Sequence, residues 1–201
     1  MKQIIAVTWL GLLLVGIAAM FWYNEIIYSL PTPVPVDYVR VNPGDTIRLA
    51  KSTSMAPGKP MLLHFFNPGC PCSRFNIPHF KSLVAKYGDD VNFVIIPLTP
   101  TGQVYTIAEI QEKFDLNIPV WLDTTLAARC GVYSTPQAVI INSDNTLYYR
   151  GNYNRSRYCT DKKSYYAEIA LNALLNRTAN PVTNPLALEA YGCQIPICKT
   201  P

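Results

Sequence analysis

The residues of this chain best suited to chemistry are two cysteines, Cys70 and Cys72, which flank Pro71 in the stretch NPGCPCSRF. An apolar run ends just before them, and a helical pattern begins at Cys72. At the start of a helix, unpaired amide groups and the positive helix end stabilise a thiolate and lower the pKa of a cysteine. We therefore expect Cys70 to be a nucleophilic thiol and Cys72 to resolve its mixed disulfides. A Cys-x-Cys ring is tight, so a disulfide between them would be reactive rather than structural.

Four further cysteines lie later in the chain, at Cys130, Cys159, Cys193 and Cys198. Cys130 follows a short predicted helix, and we expect it to be buried and inert. We favour a structural bridge between Cys159, in a loop before the last helix, and Cys193 in the tail, because disulfides that close such loops typically contribute ~3 kcal/mol. The spacing leaves two alternatives open, a Cys193–Cys198 bridge and a tail cysteine that resolves Cys70.

Two histidines accompany the cysteines. His64 lies six residues before Cys70 in an apolar run, so it is a candidate for carrying a proton to and from that thiol. A hydrogen-bonded core histidine is the alternative. His79 lies seven residues after Cys72, which on a helix is a rise of about 10 Å and long for two ligands of one metal ion. We expect His79 to face solvent.

The first part of the chain predicts a membrane anchor. Residues 4–23 carry no charge and are long enough to cross a bilayer as a helix, with Lys2 before them and Phe21, Trp22 and Tyr23 at the far end. The run is longer than the apolar region of a usual signal peptide, which favours an uncleaved signal anchor. We expect a single-pass protein of the bacterial inner membrane with its domain in the periplasm, where disulfides persist.

Composition divides the chain into an anchor, a proline-rich linker, a domain and a tail, at residues 1–23, 24–44, 45–178 and 179–201. The net charge of +4 includes no basic stripe, which argues against nucleic acid as a partner. No glycine-rich phosphate loop is present, so no organic cofactor is expected.

The domain alternates apolar runs with helical patterns. Compact apolar runs predict three buried strands and a hairpin partner for the last, at 59–66, 91–98, 135–142 and 146–153. Helices are predicted at 72–87, about 104–115, 124–130 and about 161–177. One apolar face of the first of these helices is marked by Phe75, Phe80, Leu83, Val84 and Tyr87. A short first strand is expected over 45–50, and the tail is expected to be irregular. This order predicts an α/β domain with a central mixed sheet flanked by helices.

The segments HFFNPGCPCSRFNIPHF and VYSTPQAVIIN resemble the thioredoxin-like redoxin superfamily of exported thiol enzymes. The resemblance implies a thioredoxin fold with Cys70 as the nucleophile. Ser73 falls on the usual second cysteine, and Cys72 occupies the position normally held by proline. Either Cys72 takes over resolution, or Cys70 works as a monothiol. Pro136 falls on a cis-proline that faces the active site, and with Thr135 before it would present backbone to an extended substrate.

The same resemblance places Pro78 on a helix proline and His64 where many members carry a buried carboxylate that handles a proton. Later segments, including LYYRGNY and YGCQIP, follow the order of a redoxin subgroup that ends in Gly-Cys-x-Ile. Together the similar segments span about residues 59–196.

These features predict an extracytoplasmic thiol–disulfide oxidoreductase that acts on protein thiols and disulfides, together with a redox partner that the sequence does not identify. Three alternatives remain. A thiol peroxidase would carry Thr or Ser three residues before Cys70, where this chain has Asn67. A copper-binding assembly factor would use Cys70 and Cys72 with a histidine. A redox-inactive thioredoxin-fold binding module is the third.

Overall fold

A computed structural model describes residues 1–26, 30–49, 56–100, 104–156, 158 and 160–195. The described helices are α1 (Lys2–Ile26), α2 (Pro71–Tyr87), α3 (Ile107–Phe114), α4 (Thr125–Arg129), α5 (Tyr166–Leu175) and α6 (Pro185–Leu188), with a 3₁₀ turn at Lys162–Ser164. The described strands are β1 (Met61–Phe66), β2 (Asn92–Pro97), β3 (Ser134–Thr135), β4 (Gln137–Ile141), β5 (Leu147–Gly151) and β6 (Cys193–Gln194).

A four-stranded mixed sheet forms the centre of the domain, in the order β2-β1-β4-β5. Strand β1 runs parallel to β2 and antiparallel to β4, and β5 returns antiparallel beside β4. Every residue of β1 and β4 is buried, which explains why these strands read as continuous apolar runs rather than as alternating patterns. The predicted α/β domain with a central mixed sheet is confirmed.

Helices cover both faces of this sheet. Leu62 and Phe66 of β1 pack on one face in a cluster that includes residues of α2, α3 and α5. Leu63 and Phe65 point to the other face and pack in a cluster that includes Leu126 of α4. This alternation follows from the two-residue period of a strand. The carboxyl end of β1 leads directly into the turn that carries Cys70.

Helix α2 buries most of its predicted apolar face, but Phe75 is an exception with 46% of its surface exposed. Phe75 and the buried Phe80 are five positions apart, which places the two side chains about 140° apart around the helix. Ile77 lies three positions before Phe80 and about 60° from it around the helix, so Ile77 is on the buried face and Phe75 is not. The prediction that Phe75 shares one apolar face with Phe80 is wrong for this reason.

At the amino end, α1 is long and apolar enough to cross a membrane by length and composition, with a mean hydropathy of 2.5 and no buried residue. It begins and ends slightly outside the predicted span 4–23. These properties suit a membrane anchor or a signal sequence. Further on, the predicted strand at 45–50 is a single bridge from Thr46 to Thr146 within the described residues, and position 50 lies outside them.

The tail contains more regular structure than its sequence predicts. Asn184 caps α6 by accepting a hydrogen bond from the N–H of Leu186 (2.9 Å), and Pro185 begins the helix. Strand β6 then pairs antiparallel with β3, immediately before β4. A tail that was expected to be irregular therefore returns to the end of the sheet where α2 begins. Residues 196–201 lie outside the described part.

Candidate redox site

Cys70 is the N-cap residue of α2, at the turn that connects β1 to this helix. The turn is closed by two hydrogen bonds to Asn67: the N–H of Cys70 donates to the Asn67 carbonyl (3.0 Å), and the N–H of Gly69 donates to its side-chain Oδ1 (2.8 Å). Pro71 opens the helix, where a missing N–H costs nothing. Cys70 is 3% exposed, so its sulfur lies inside the turn at the helix start that the sequence predicts.

Ser73, which the resemblance aligns with a second cysteine, has a structural role. It is buried, and its Oγ accepts a hydrogen bond of 3.1 Å from the N–H of Asn67. The serine in the first turn of α2 therefore ties the helix to the residue that starts the turn before Cys70. Sequence reasoning treated Ser73 only as a missing thiol and did not identify this contact.

Cys70 forms a disulfide with Cys193 of β6, 123 residues later, with their Cα atoms 6.5 Å apart. Cys72 is buried and is not part of a disulfide. The expected Cys70–Cys72 ring is therefore not formed, because the Cys70 sulfur is already bonded to that of Cys193. The favoured Cys159–Cys193 bridge is also replaced, since Cys193 is already bonded. Cys159 itself lies outside the described residues.

This pairing matches the alternative in which a tail cysteine partners Cys70. The sequence contains one signal for this pairing, the glycine directly before Cys193. In the structure, Gly192 has a φ of +115°, which lies in the region that favours glycine. A Cβ atom at this position would collide with the carbonyl oxygen of Thr135. The Gly-Cys pair is thus what allows the tail to approach β3 closely enough for the disulfide.

Strand β6 is held against β3 by backbone and side-chain contacts. Thr135 is paired with Cys193, and Ser134 with Gln194. The Ser134 hydroxyl lies 3.2 Å from the carbonyl oxygens of both Tyr191 and Cys193, within hydrogen-bond distance of each. Since Ser134 and Thr135 are both buried, these contacts are shielded from water and fix the position of the tail.

The peptide bond between Thr135 and Pro136 is cis, as the resemblance implies. Thr135 is also the residue opposite Cys193. The backbone that we expect to meet an extended substrate is therefore occupied by the chain's own tail in this state of the protein.

The segment after α1 contacts the tail at the same place. The N–H of Thr32 donates to the carbonyl of Ala190 (2.7 Å), and the Thr32 and Ser134 hydroxyls share a hydrogen bond of 2.8 Å. Pro31 bridges Tyr191 beside them. The sequence predicts only a linker over residues 24–44, whereas in the structure Thr32 is buried against the strand that precedes the cis-proline.

His64 lies in the aromatic core beneath α2. Its ring stacks on those of Phe80 and Phe66, with centroids 4.3 and 5.3 Å away, and its Nδ1 shares a hydrogen bond of 2.7 Å with the Tyr153 hydroxyl. Burial, with a smaller effect from the charge of His79, lowers the pKa of His64 to about 3. The ring is therefore neutral at physiological pH, and the proton-carrying role stays a prediction.

The predicted exposure of His79 is wrong, and the predicted burial of Cys130 is confirmed. His79 was expected to face solvent, which is wrong: it is 6% exposed, with its ring 4.2 Å from that of Tyr165, because the segment before α5 covers this side of α2. Burial lowers the pKa of His79, and Glu168 opposes this effect. Cys130 is buried as predicted, and burial raises the pKa of its thiol to about 12.

A family model described as a domain of unknown function, DUF6436, matches residues 43–199. The chain belongs to the DUF6436 family. The DUF6436 match includes the tail as well as the sheet, so both cysteines of the disulfide fall within it. No curated protein matches the sequence.

Solved structures share the fold of this DUF6436 protein. An uncharacterized conserved protein from Geobacillus kaustophilus is 22% identical with a TM-score of 0.60, over 72% of this chain and 80% of that one. A hypothetical protein from Sinorhizobium meliloti is 18% identical with a TM-score of 0.57, over 69% and 79%. A solution structure of a thioredoxin-like protein in the oxidized form is 16% identical with a TM-score of 0.50, over 74% and 97%.

At these identities the similarity concerns the fold alone, and it confirms the thioredoxin-like fold that the sequence predicts. Membership of the redoxin superfamily stays a prediction, since the family model carries no functional description.

Proposed function

We propose that this DUF6436 protein is an extracytoplasmic thiol–disulfide oxidoreductase in which Cys70 is the nucleophile and Cys193 is the resolving thiol. The observation that carries the proposal is the disulfide between Cys70, at the N-terminus of α2, and Cys193, beside the cis Thr135–Pro136 bond. The helix N-terminus stabilises a thiolate, which makes Cys70 a good leaving group and a thiol that is ionised near neutral pH.

The exposure of the two sulfur-bearing residues suggests the route of electrons. Cys193 is partly exposed whereas Cys70 is buried, so a donor dithiol attacks the Cys193 sulfur and the Cys70 thiolate leaves. The donor's second thiol then breaks the mixed disulfide with Cys193. The donor has become a disulfide, and both cysteines of this chain are reduced.

In the second half of the cycle, Cys70 attacks a protein disulfide and forms a mixed disulfide with one of its sulfurs. Cys193 then attacks Cys70, which restores the Cys70–Cys193 bond and releases the substrate as a dithiol. Two electrons and two protons pass from donor to substrate in each cycle. The reverse flow oxidises a substrate dithiol, and the potentials of the two partners set the direction.

An extracytoplasmic location is supported by two features of the chain. Helix α1 has the length and composition of a membrane anchor or a signal sequence. A disulfide at the centre of the site is typical of oxidising compartments outside the cytoplasm. We propose that α1 anchors the domain in the bacterial inner membrane, with the redox site on the periplasmic side.

The proposal is tested by following the reduction of a model protein disulfide, that of insulin, by the full chain in detergent micelles with a dithiol as electron donor. Cys70→Ser should abolish turnover. Cys193→Ser that has been reduced and then freed of the donor should still attack, and it should accumulate a mixed disulfide with insulin that is visible on a non-reducing gel. Cys130→Ser changes a buried thiol that takes no part in the disulfide, and it should leave turnover unchanged.

Turnover that survives in Cys70→Ser would show that Cys70 is not the nucleophile. A Cys193→Ser variant that turns over as fast as the unaltered chain, with no trapped intermediate, would remove the resolving role.

A further inference from the structure

A third sulfur lies beside the disulfide. The Sγ atoms of Cys70, Cys72 and Cys193 all lie within 4.8 Å of one another. The proposed exchange cycle uses the sulfurs of Cys70 and Cys193, and Cys72 is a third sulfur beside that pair. From this cluster we infer that the reduced protein has a second activity: it binds one monovalent copper ion, Cu(I), through the three cysteines.

The spacing of the sulfurs suits a single ion. Three sulfur ligands around one ion at about 2.3 Å, as in other metal–thiolate bonds, lie about 4 Å apart when they form a triangle. Reduction of the Cys70–Cys193 bond lets these two sulfurs separate toward that distance, and Cys72 is already within reach of both. The sequence-based alternative of a copper factor required a histidine as third ligand, whereas the structure supplies a cysteine from the tail.

The donor set selects the kind of metal. The cluster of described side chains that could hold an ion consists of three cysteines, with no histidine or carboxylate among them. All-thiolate ligands suit soft metals, of which Cu(I) is one. Structural zinc sites almost always have four ligands, and the cluster offers three. The three-sulfur set therefore favours Cu(I) over zinc.

The surroundings favour thiolates and shield two of the three cysteines from water. Cys70 and Cys72 are both buried, and both lie at the positive N-terminal end of α2. Cys193 is fixed over them by the pairing of β6 with β3. Two ligands thus come from a helix start and the third from the tail.

The site is present in only one redox state. A dithiol reductant supplies two electrons and two protons to the Cys70–Cys193 disulfide and becomes a disulfide itself, leaving three thiols. Cu(I) then binds as the thiols give up their protons, without any change in the oxidation state of the metal. Oxidation of Cys70 and Cys193 by a disulfide compound removes two of the three ligands, so it should release the ion.

The test is a titration of the anaerobically reduced full chain, in detergent micelles, with Cu(I) in competition with a chromophoric Cu(I) chelator. We expect one equivalent of Cu(I) to be held by the reduced chain and none by the oxidised chain. Cys72→Ser and Cys193→Ser should each weaken binding by at least about tenfold, since even second-shell changes at metal sites have effects of 10–100-fold. Cys130→Ser, which alters a buried thiol outside the cluster, should bind as the unaltered chain does.

X-ray absorption of the Cu(I)-loaded, unaltered chain avoids dependence on variants that fold poorly, and it should give three sulfur neighbours at about 2.3 Å. Two sulfur neighbours, equal affinity in Cys72→Ser, or displacement of Cu(I) by one equivalent of Zn²⁺ would each overturn the inference. The titration does not require exchange with a protein substrate, so failure of copper binding and failure of the proposed redox function are distinguishable.

Discussion

Gly192 controls how closely the tail approaches the redox site, and replacing it with alanine should weaken the Cys70–Cys193 disulfide. With a φ of +115°, Gly192 has a backbone conformation that an alanine rarely adopts, and its Cβ would collide with the Thr135 carbonyl oxygen. Both effects arise only while β6 is docked on β3. In the reduced Gly192→Ala variant no disulfide holds β6 on β3, so its tail can move away and the cost falls on the oxidised state.

The free-energy cost of Gly192→Ala in the oxidised state can be taken from the strained backbone of residue 192 alone. A residue held in such a sparsely populated region costs of order 1–3 kcal/mol, and a central value of about 2 kcal/mol corresponds to a change of about 30-fold in an equilibrium constant. We therefore expect Gly192→Ala to lower the equilibrium constant for forming the disulfide from oxidised glutathione by about 30-fold.

The assay equilibrates the full chain with a series of glutathione redox buffers, quenches with acid and counts alkylated thiols by mass spectrometry. Gly58→Ala is the matched control, because Gly58 also has a positive φ (+77°) but has no atom near the position of an added Cβ. It strains a turn before β1 in both redox states equally, so the disulfide equilibrium should not move. A Gly192→Ala equilibrium constant within error of the Gly58→Ala value would refute the reasoning.

The remaining predictions concern buried groups around the site. The pKa of His64 is about 3 in the folded chain and 6.5 in the unfolded chain, so below pH 6.5 the unfolded state binds a proton that the folded state does not. The free energy of unfolding should therefore fall by about 3 kcal/mol more for the unaltered chain than for His64→Gln between pH 6.5 and about pH 4, as measured by urea titration, and equal losses would contradict the assigned pKa. Thr32→Val should lower the free energy of unfolding by about 1 kcal/mol, because the Ser134 hydroxyl loses a buried partner; an unchanged urea midpoint would show that the linker contact is not stabilising. Cys130, with a pKa of about 12 against an ordinary 9.0, should be alkylated about a thousandfold more slowly than an exposed thiol at about pH 8 in the folded chain, and equal rates in folded and urea-unfolded protein would contradict its burial.

The sheet was predictable because its central strands are local and fully buried. Apart from His64 and Gln137, strands β1 and β4 each appear as one apolar run bounded by Pro and Asn, which is a signal contained in a few residues. The position of Cys70 at the start of α2 was predictable for the same reason. Phe75 was misplaced because a list of apolar residues on a helix does not by itself reveal which of them lies off the buried face.

The partner of Cys70 was not predictable in this way. Cys193 is 123 residues from Cys70, and β6 is a two-residue strand held by its pairing with the distant β3, so the Gly-Cys pair allows the disulfide without indicating which cysteine it joins. The burial of His79 likewise depends on a distant segment that covers α2. In each case the deciding contact joins parts of the chain that are far apart in sequence.

The central claim is that Cys70 and Cys193 form a reversible disulfide, and peptide mapping tests it most directly. Full-length chain is taken from membranes into acid, alkylated and digested, before and after equilibration with glutathione buffers that span the oxidising and reducing ranges. The account predicts a linked peptide pair containing Cys70 and Cys193 that disappears on reduction and returns on oxidation, with Cys72 and Cys130 alkylated only after unfolding. A Cys70–Cys72 link, or a Cys70–Cys193 link that persists across the whole range of buffers, would contradict it.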